Sequence, residues 1–548
     1  RGIEGVATRM IGRDADLQLL QAAFLRLCAQ GSMAAVTVVA DAGIGKSRLL
    51  YEFEAWSETR PEAFLLFRGR ATPQTAAQPF GLLREIMAWR LQIHDDDSVE
   101  TARRKLEEGI APLFLHDDGP DLAQGHAHLL GHLIGIQWSD SRHIQGILDD
   151  PRQIRNRALN AAAQYFRRLS AREGLPLILQ IEDLHWADDE SLDFLSHLVE
   201  ASHVMPMLVL GFTRPTLFER REGWLGTVAA HQRIELQPLD KHTSRELARE
   251  LLQRLPEIPG ALTELLTGSA EGNPFYMEEL VKMLIDQGAI RTGEGWSVDG
   301  ARLLVTRVPT TLTGVLQARL DGLPLAEKRA MQQASVVGAV FWDQVLAAVD
   351  VDAAAQLPAL ARRELTLPRA DAPLDGLREY AFRHQILHQV TYETVLRRDK
   401  REGHTRVAQW LASWTRRGGL RAGDFLGLAA EHFERAGDTA QAAAFHALAA
   451  DHAGQRFAHQ RVLAHVGRAM KLLGEPAAAQ AELRWSLLTT RERSLSLLAR
   501  RGEQAADLDA LAHWAEVLGD DSRRADAALR RSTRAMRMAD WAAMEAAA

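Results

Sequence analysis

The segment Val36-Thr37-Val38-Val39-Ala40-Asp41-Ala42-Gly43-Ile44-Gly45-Lys46-Ser47 constrains this chain more than any other stretch. A β-branched run ends in a glycine-rich turn. An amphipathic pattern follows, with Leu49, Leu50, Phe53 and Trp56 on one side. Strand, glycine-rich loop and helix in that order make a phosphate-binding loop. Glycines let successive backbone N–H groups close around phosphate oxygens, and the helix N-terminus adds its positive end. In such a loop Lys46 holds the β- and γ-phosphates and Ser47 ligates Mg²⁺. Ala40 stands where the pattern has its first glycine. A methyl there is tolerated because the cradle lies further along. ATP/ADP with Mg²⁺ is therefore the expected ligand set.

A second signal is Leu177-Ile178-Leu179-Gln180-Ile181-Glu182-Asp183, an apolar strand ending in two acids. One acid holds the metal shell and the next polarises the attacking water. By position Glu182 serves Mg²⁺ and Asp183 the water. The order of lengths is reversed from the usual aspartate-first pair. The alternative is that the acids only cap a helix starting near Asp188. A third signal is Leu208-Val209-Leu210-Gly211-Phe212-Thr213-Arg214-Pro215. Thr213 and Arg214, at the end of a neighbouring strand, are candidates to sense the γ-phosphate. An ordinary strand exit is the other reading.

The chain has 548 residues, a prior for several domains. Apolar runs at Ala35–Ala40, Phe64–Gly69, Leu177–Glu182, Met207–Thr213 and Ile234–Leu236 alternate with helical patterns. That is the signature of an α/β unit with a parallel sheet. A helical insertion is expected over about 80–170. From about 241 the strands stop, apart from a small wing near Leu365–Phe382. From about 406 onward everything reads as helix, rich in alanine, with Pro476 the only proline after residue 421. Helix–Gly-Asp–helix units recur at Gly437-Asp438 and Gly519-Asp520. Small residues let helices approach closely, and the units suggest tetratricopeptide-like stacking. An irregular bundle is the alternative.

The net charge is −7, which disfavours a non-specific nucleic-acid binder. The single cysteine, Cys28, excludes an intrachain disulfide, and a reducing cytoplasm is the expected location. No run of about 18 apolar residues predicts a membrane span. No signal peptide is expected. The chain opens on Arg1 and closes on Trp541-Ala542-Ala543-Met544-Glu545-Ala546-Ala547-Ala548, so a fragment of a longer protein is expected.

With these motifs in hand, the chain resembles the bacterial signal-transduction ATPases with numerous domains, in the branch similar to the origin-recognition AAA class. Met10-Ile11-Gly12-Arg13-Asp14-Ala15-Asp16-Leu17 matches the family's opening motif, and Ala42–Leu50 its phosphate loop. Glu182-Asp183-Leu184-His185-Trp186-Ala187-Asp188 matches the second motif, in which the histidine–tryptophan pair is distinctive. Glu271-Gly272-Asn273-Pro274-Phe275-Tyr276-Met277-Glu278-Glu279-Leu280 matches the lid motif, and Phe382-Arg383-His384-Gln385-Ile386-Leu387 with Tyr392 the winged helix. The resemblance spans about residues 8–450.

The resemblance implies an α/β P-loop NTPase core with an AAA-type parallel sheet, then an all-α lid, a winged helix and tetratricopeptide-like helical repeats. The expected divisions are 1–240, 241–325, 326–405 and 406–548. It places Ile11, Gly12 and Arg13 against the adenine and Pro274 near the base. Gly43, Ile44, Gly45, Lys46, Ser47 and Arg48 form the phosphate loop. His384 reaches the β-phosphate by analogy with related switch ATPases; a helix-surface histidine is the alternative. ATP is the expected partner, with a protein or small-molecule ligand at the repeats, oligomerisation, and DNA only through a missing domain. The opening Arg1–Val6 resembles the joint after a nucleotide cyclase domain in fused members. Large LuxR-type regulators share the same ATPase, and a non-hydrolysing nucleotide-binding scaffold is a further rival. His126, His128 and His132 are not read as a metal site, nor Asp95–Asp97 as more than a solvated loop. Arg397–Arg401 reads as a surface helix, and no Ser-His-Asp or Cys-His constellation is recognised.

Overall fold

The computed structural model describes residues 2–547 except 4, 5, 77, 95, 96, 137, 139, 146–150, 202–204, 294, 307, 375, 376, 418–421 and 457. Arg1, Glu4, Gly5, Asp95, Asp96 and Ala548, on which sequence readings fell, lie outside the described residues.

Five parallel strands form the central sheet: β1 (Ala34–Val39), β2 (Leu65–Arg70), β3 (Leu177–Glu182), β4 (Met207–Thr213) and β5 (His231–Glu235). Their spatial order is β2–β3–β4–β1–β5. Strands β3 and β4 are covered on both faces, which is why they read as continuous apolar runs. On one face Phe24 of α1 (Asp14–Gln30) packs with Phe53 of α2 (Lys46–Glu58). The other face carries the helical insertion, where Phe67, Phe166 and Phe194 meet in one core. The insertion's helices run from Pro73 to Glu173. Helix α3 (Asp189–Ala201) follows the acidic strand end, and α4 (Lys241–Leu251) and α5 (Pro274–Asp286) build the small helical layer beyond the sheet.

Strands do not stop at 241. A short hairpin pairs Ile290–Arg291 with Ser297–Val298. A three-stranded antiparallel sheet joins β6 (Val340–Trp342), β7 (Thr366–Leu374) and β8 (Leu377–Phe382) in the order β6–β8–β7. The expected wing holds only two of these strands. The third, Val340-Phe341-Trp342, is too short for alternation to be legible, and its pairing with Glu379–Ala381 makes it a strand. Helix α6 (Gln385–Glu393) leaves the end of β8.

The remaining helices stack as antiparallel neighbours from Arg397–Arg417 to Trp541–Ala547. The Gly-Asp dipeptides have two separate jobs. Gly437 and Gly519 take left-handed φ values of 89° and 63°, ending one helix. Asp438 then caps the next helix by accepting the Gln441 N–H, and Asp520 accepts those of Ser522 and Arg523. Ala443, Ala450 and Ala453 pack against Val462 and Val466 in the close approach that small residues permit. Trp410 and Trp414 stack at 5.1 Å.

A polar chain runs through the join between α6 and this tail. The Tyr392 hydroxyl lies 2.9 Å from His404 Nε2, and His404 Nδ1 lies 2.9 Å from His432 Nδ1. Neutral tautomers satisfy both contacts with the protons running in one direction, for example Tyr392 donating to His404 and His404 donating to His432. Burial first, then Arg435 and Lys400, pushes the His404 pKa down to about 3. Burial, His404 and Arg435 hold His432 well below its ordinary value. Both histidines therefore fold as neutral rings. Their contribution is present above the unfolded pKa of about 6.5 and is lost as pH falls below it. Lowering pH from 6.5 to 5 should cost roughly 2 kcal/mol for His404 alone, at about 1.4 kcal/mol per pH unit. Thermal unfolding followed by helical circular dichroism should show the melting temperature falling across that interval. A flat profile would contradict neutral burial of the pair.

Candidate nucleotide-binding site

A cavity of about 490 Å³ opens at the carboxyl ends of the central strands. Open α/β sheets bind ligands there because loops and helix N-termini converge at those ends. Its walls come from the phosphate loop, the ends of β2, β3 and β4, the start of α5, and the β7–β8 sheet. Of the residues expected from sequence, Ile11, Arg13, Gly43, Ile44, Gly45, Lys46, Ser47, Arg48, Glu182, Asp183, Arg214, Pro274 and His384 all line it. Gly12 and Thr213 do not. Gly12 has φ 69°, and a Cβ there would sit 2.2 Å from Thr243 Cγ2, so it serves close packing on α4. Thr213 is fully buried, and its hydroxyl donates to the Arg214 carbonyl at 3.2 Å. Between the two γ-phosphate candidates, only Arg214 faces the cavity.

The loop and the lid hold each other. Gly43 and Gly45 have φ of 85° and 111°, values that exclude most side chains. A Cβ at Gly43 would also strike Asn273 Oδ1 at 2.6 Å. Asn273 donates from Nδ2 to the Ala42 carbonyl at 3.2 Å and caps α5 by accepting the Tyr276 N–H at 3.1 Å. The Phe275 N–H donates to the Gly43 carbonyl at 3.2 Å. Arg13 was expected against the adenine. It lines the cavity, and its guanidinium donates to the Ile44 and Gln237 carbonyls at 3.0 and 2.6 Å, bracing the loop.

Lys46 folds over the loop, donating to the carbonyls of Ala40 at 2.5 Å and Asp41 at 3.0 Å. Burial first, and then Arg214, lowers its pKa to about 8, against the pull of Asp183 and Asp41. Burial also lowers the Arg214 pKa, with Asp183 and Asp41 opposing. Across the cavity Arg70 ends β2 in register with Glu182. Its Nε and one terminal nitrogen both donate to Asp183 Oδ2, at 3.1 and 3.0 Å. Burial works against the Arg70 cation, but the carboxylates of Asp183 and Glu182 outweigh it and raise its pKa. The two strand-end acids do not cap the next helix. Asp188 does that, accepting the Ser191 N–H at 2.8 Å while also holding the Phe80 N–H.

His384 precedes α6, and its ring sits 3.8 Å from that of Phe275. Burial pushes its pKa down to about 3, opposed by Glu279 and assisted by Arg383, Lys282 and Arg319. It enters the cavity wall as a neutral imidazole and not as a solvent-facing helix residue. Beneath it, Glu279 is buried between Arg319 and Lys282, and Lys282 reaches Glu364 at 2.9 Å. The Lys282–Glu364 pair ties α5 to the segment that leads into β7.

Sequence reasoning missed five charged groups that line the cavity: Arg9, Arg70, Glu278, Arg369 and Arg383. Glu278 sits one helical turn after Pro274, a spacing that could have flagged it. Arg70 had no such signal, because only the strand order brings the end of β2 beside the acids. His128 bridges Ser141 Oγ at 2.6 Å and Glu107 at 2.8 Å, a Ser-His-Glu line the sequence did not suggest. Ser141 is buried and accepts the His143 N–H, so this line is internal scaffolding of the insertion.

Residues 9–210 match the AAA ATPase domain. The AAA ATPase domain thus covers the phosphate loop, Arg70 and both strand-end acids, and stops short of the lid. An uncharacterized protein of Rhizobium meliloti (strain 1021) is 26% identical over 462 residues, covering 82% of this chain and 41% of that protein. The chain spans about two fifths of the length of this curated relative. Among solved structures, a signal transduction ATPase with numerous domains and a tetratricopeptide repeat sensor, from Pyrococcus horikoshii, aligns with a TM-score of 0.42 and 12% identity, covering 97% of this chain and 69% of that one. The Aeropyrum pernix Orc1 protein in complex with DNA aligns with a TM-score of 0.32 and 11% identity, covering 72% and 95%. No described helix is long and apolar enough to cross a membrane.

Proposed function

We propose that this chain is the ATP-driven switch module of a larger regulator. ATP binds between core, lid and winged helix, and slow hydrolysis resets their arrangement. The observation that carries the reading is one cavity shared by the phosphate loop, both strand-end acids, the lid helix and His384. Lys46, Arg70 and Arg214 converge there, a charge pattern complementary to a triphosphate. Ser47 and Glu182 would hold Mg²⁺, which screens the phosphate charge and orients the β/γ oxygens when bound. Lys46 exchanges two backbone carbonyls for phosphate oxygens, a stronger charge-assisted pairing. Asp183 takes the proton of the attacking water, and its pairing with Arg70 supports a slow basal rate.

Release of labelled phosphate from ATP tests the reading. A nucleotide-binding scaffold without turnover would bind ATP and release none. The divisions at 240, 325 and 405 belong to the same proposal, as do a ligand at the helical repeats, oligomerisation and a cytoplasmic location. For the effector we favour a nucleotide cyclase, on the resemblance of Arg1–Val6 to the joint after such domains. A helix-turn-helix encoded downstream in the full-length gene would replace the cyclase with a LuxR-type reading.

His384→Ala should alter ADP retention more than ATP affinity. An imidazole N–H donated to the β-phosphate stabilises the closed diphosphate form. One hydrogen bond to a charged group is worth roughly 1.5–3 kcal/mol, so ADP release should quicken about tenfold or more. Stopped-flow release of a fluorescent ADP analogue reads this directly. Unchanged release would leave His384 as packing against Phe275.

A further inference from the structure

His185 is the buried titratable group nearest the site for which the reading above has no use. It lies in the single turn Leu184–Trp186 that follows Asp183, whose own φ is 52°. Leu184 is fully buried and wedges under β4, close enough that a Cβ at Gly211 would meet it at 3.0 Å. The His185 and Ala187 carbonyls accept from Arg220 at 3.5 and 2.6 Å. The turn is therefore held from both sides, and the ring is pinned beneath the strand ends, tilted against Trp186 at 5.3 Å. His185 is 8% exposed, yet neither Nδ1 nor Nε2 has a hydrogen-bond partner among the described residues. Buried polar atoms are rarely left so, and a buried pair of orphans points to a partner acquired in another arrangement.

The charges around the ring narrow that partner. Arg214, Lys46 and Arg220 are cations and offer an imidazole N–H nothing to donate to; the carboxylate of Asp183 is the charge that acts on it most strongly. Burial, against the pull of Asp183, lowers the ring's pKa to about 4. His185 therefore presents one neutral N–H donor and one acceptor. Asp183 meanwhile spends Oδ2 on two guanidinium bonds from Arg70. An oxygen whose lone pairs are taken this way is poorly placed to receive a proton from water. Arg70 lines the same cavity as Lys46, so an incoming triphosphate offers its guanidinium a competing anion.

We propose that His185 is the second partner of Asp183: when Arg70 turns to the nucleotide, a His185 ring N–H holds the Asp183 carboxylate in the orientation from which it accepts the proton of the attacking water. This rests on the hydrolysis reading above. In that step the water oxygen bonds to the terminal phosphorus. The bond from that phosphorus to the bridging oxygen breaks, and its electron pair leaves with ADP. The water proton passes to Asp183 and then to solvent. His185 touches neither substrate nor water and is a positioning residue. Its neutral donor orients the carboxylate without the charge that Arg70 brings.

The test measures ATP turnover, ATP affinity by calorimetry and melting temperature in the full chain for the parent, His185→Phe, His185→Asn, Arg70→Ala and the Arg70→Ala/His185→Phe pair. His185→Phe should lower kcat at least about tenfold with Kd unchanged. It should not lower the melting temperature, because it removes two unpaired buried nitrogens. His185→Asn, which keeps an N–H donor, should recover part of the rate. Arg70→Ala should speed turnover in the parent but not in His185→Phe. Equal stimulation in both backgrounds, or an unchanged kcat in His185→Phe, would overturn the inference while leaving the hydrolysis reading intact. A melting temperature that falls in both His185 variants, with rate and affinity lost together, would return His185 to a structural role. No turnover in the parent would remove the hydrolysis reading, and this inference with it.

Discussion

Lys46→Ala should weaken ATP binding at least about a hundredfold, or about 2.7 kcal/mol, and leave the fold standing. The two halves of that expectation have one cause. The Lys46 ammonium is desolvated, with two backbone carbonyls of its own loop as hydrogen-bond partners and Arg214 nearby. Removing it relieves that desolvation in the free protein, so little stability is at stake. In the bound form the same charge faces phosphate oxygens in a water-poor cavity, where charge-assisted bonds are strongest. The depressed pKa adds a pH signature. Affinity should hold below about pH 8 and decline as the lysine loses its proton above it, because phosphate pairs with the protonated form. Calorimetry on parent and variant across that range checks both points. Equal affinity in the two would remove Lys46 from the site.

Asp183→Asn should bind ATP with Mg²⁺ as the parent does and hydrolyse it at least about a hundredfold more slowly, the low end of what a positioned proton acceptor contributes. The amide keeps the size of the side chain but cannot take a proton. It also loses its ion pair with Arg70. That pair is only half-buried, at 45% and 31% side-chain exposure. Such pairs are worth about 0–1 kcal/mol, so the melting temperature should move little. The rate and the stability should therefore separate. Single-turnover phosphate release with a Mg²⁺ titration distinguishes the two acids. If Glu182→Gln stops turnover while Mg²⁺ dependence is kept, the roles assigned to Glu182 and Asp183 are exchanged.

Sequence reading went furthest where chemistry is local. Gly43, Gly45, Lys46 and Ser47 are consecutive enough that one backbone turn makes the cradle, so their order along the chain is the geometry. The same holds for Gly437-Asp438 and Gly519-Asp520, where a left-handed residue and a capping carboxylate sit side by side. Strands β3 and β4 were legible because burial on both faces writes an unbroken apolar run. Where burial is shared between distant segments, the sequence is silent. Val340–Trp342 becomes a strand only because β8 runs alongside it. Thr213 and Arg214 are adjacent in sequence, but the pleat and the strand exit send one into the core and the other to the cavity.

Charge placement follows the same division. Residue types along the chain placed Lys46 in the glycine-rich loop and two acids at the end of β3. Which cations surround those acids was decided by strand order, since β2 must lie beside β3 for Arg70 to reach Asp183. Which nitrogens remain unpaired was decided by packing, since the wedge of Leu184 under β4 holds the turn that buries the His185 ring. A motif needs only the reach of a few backbone bonds. The groups that restrain it are recruited across more than a hundred residues of chain, and only the folded sheet brings them within hydrogen-bond distance.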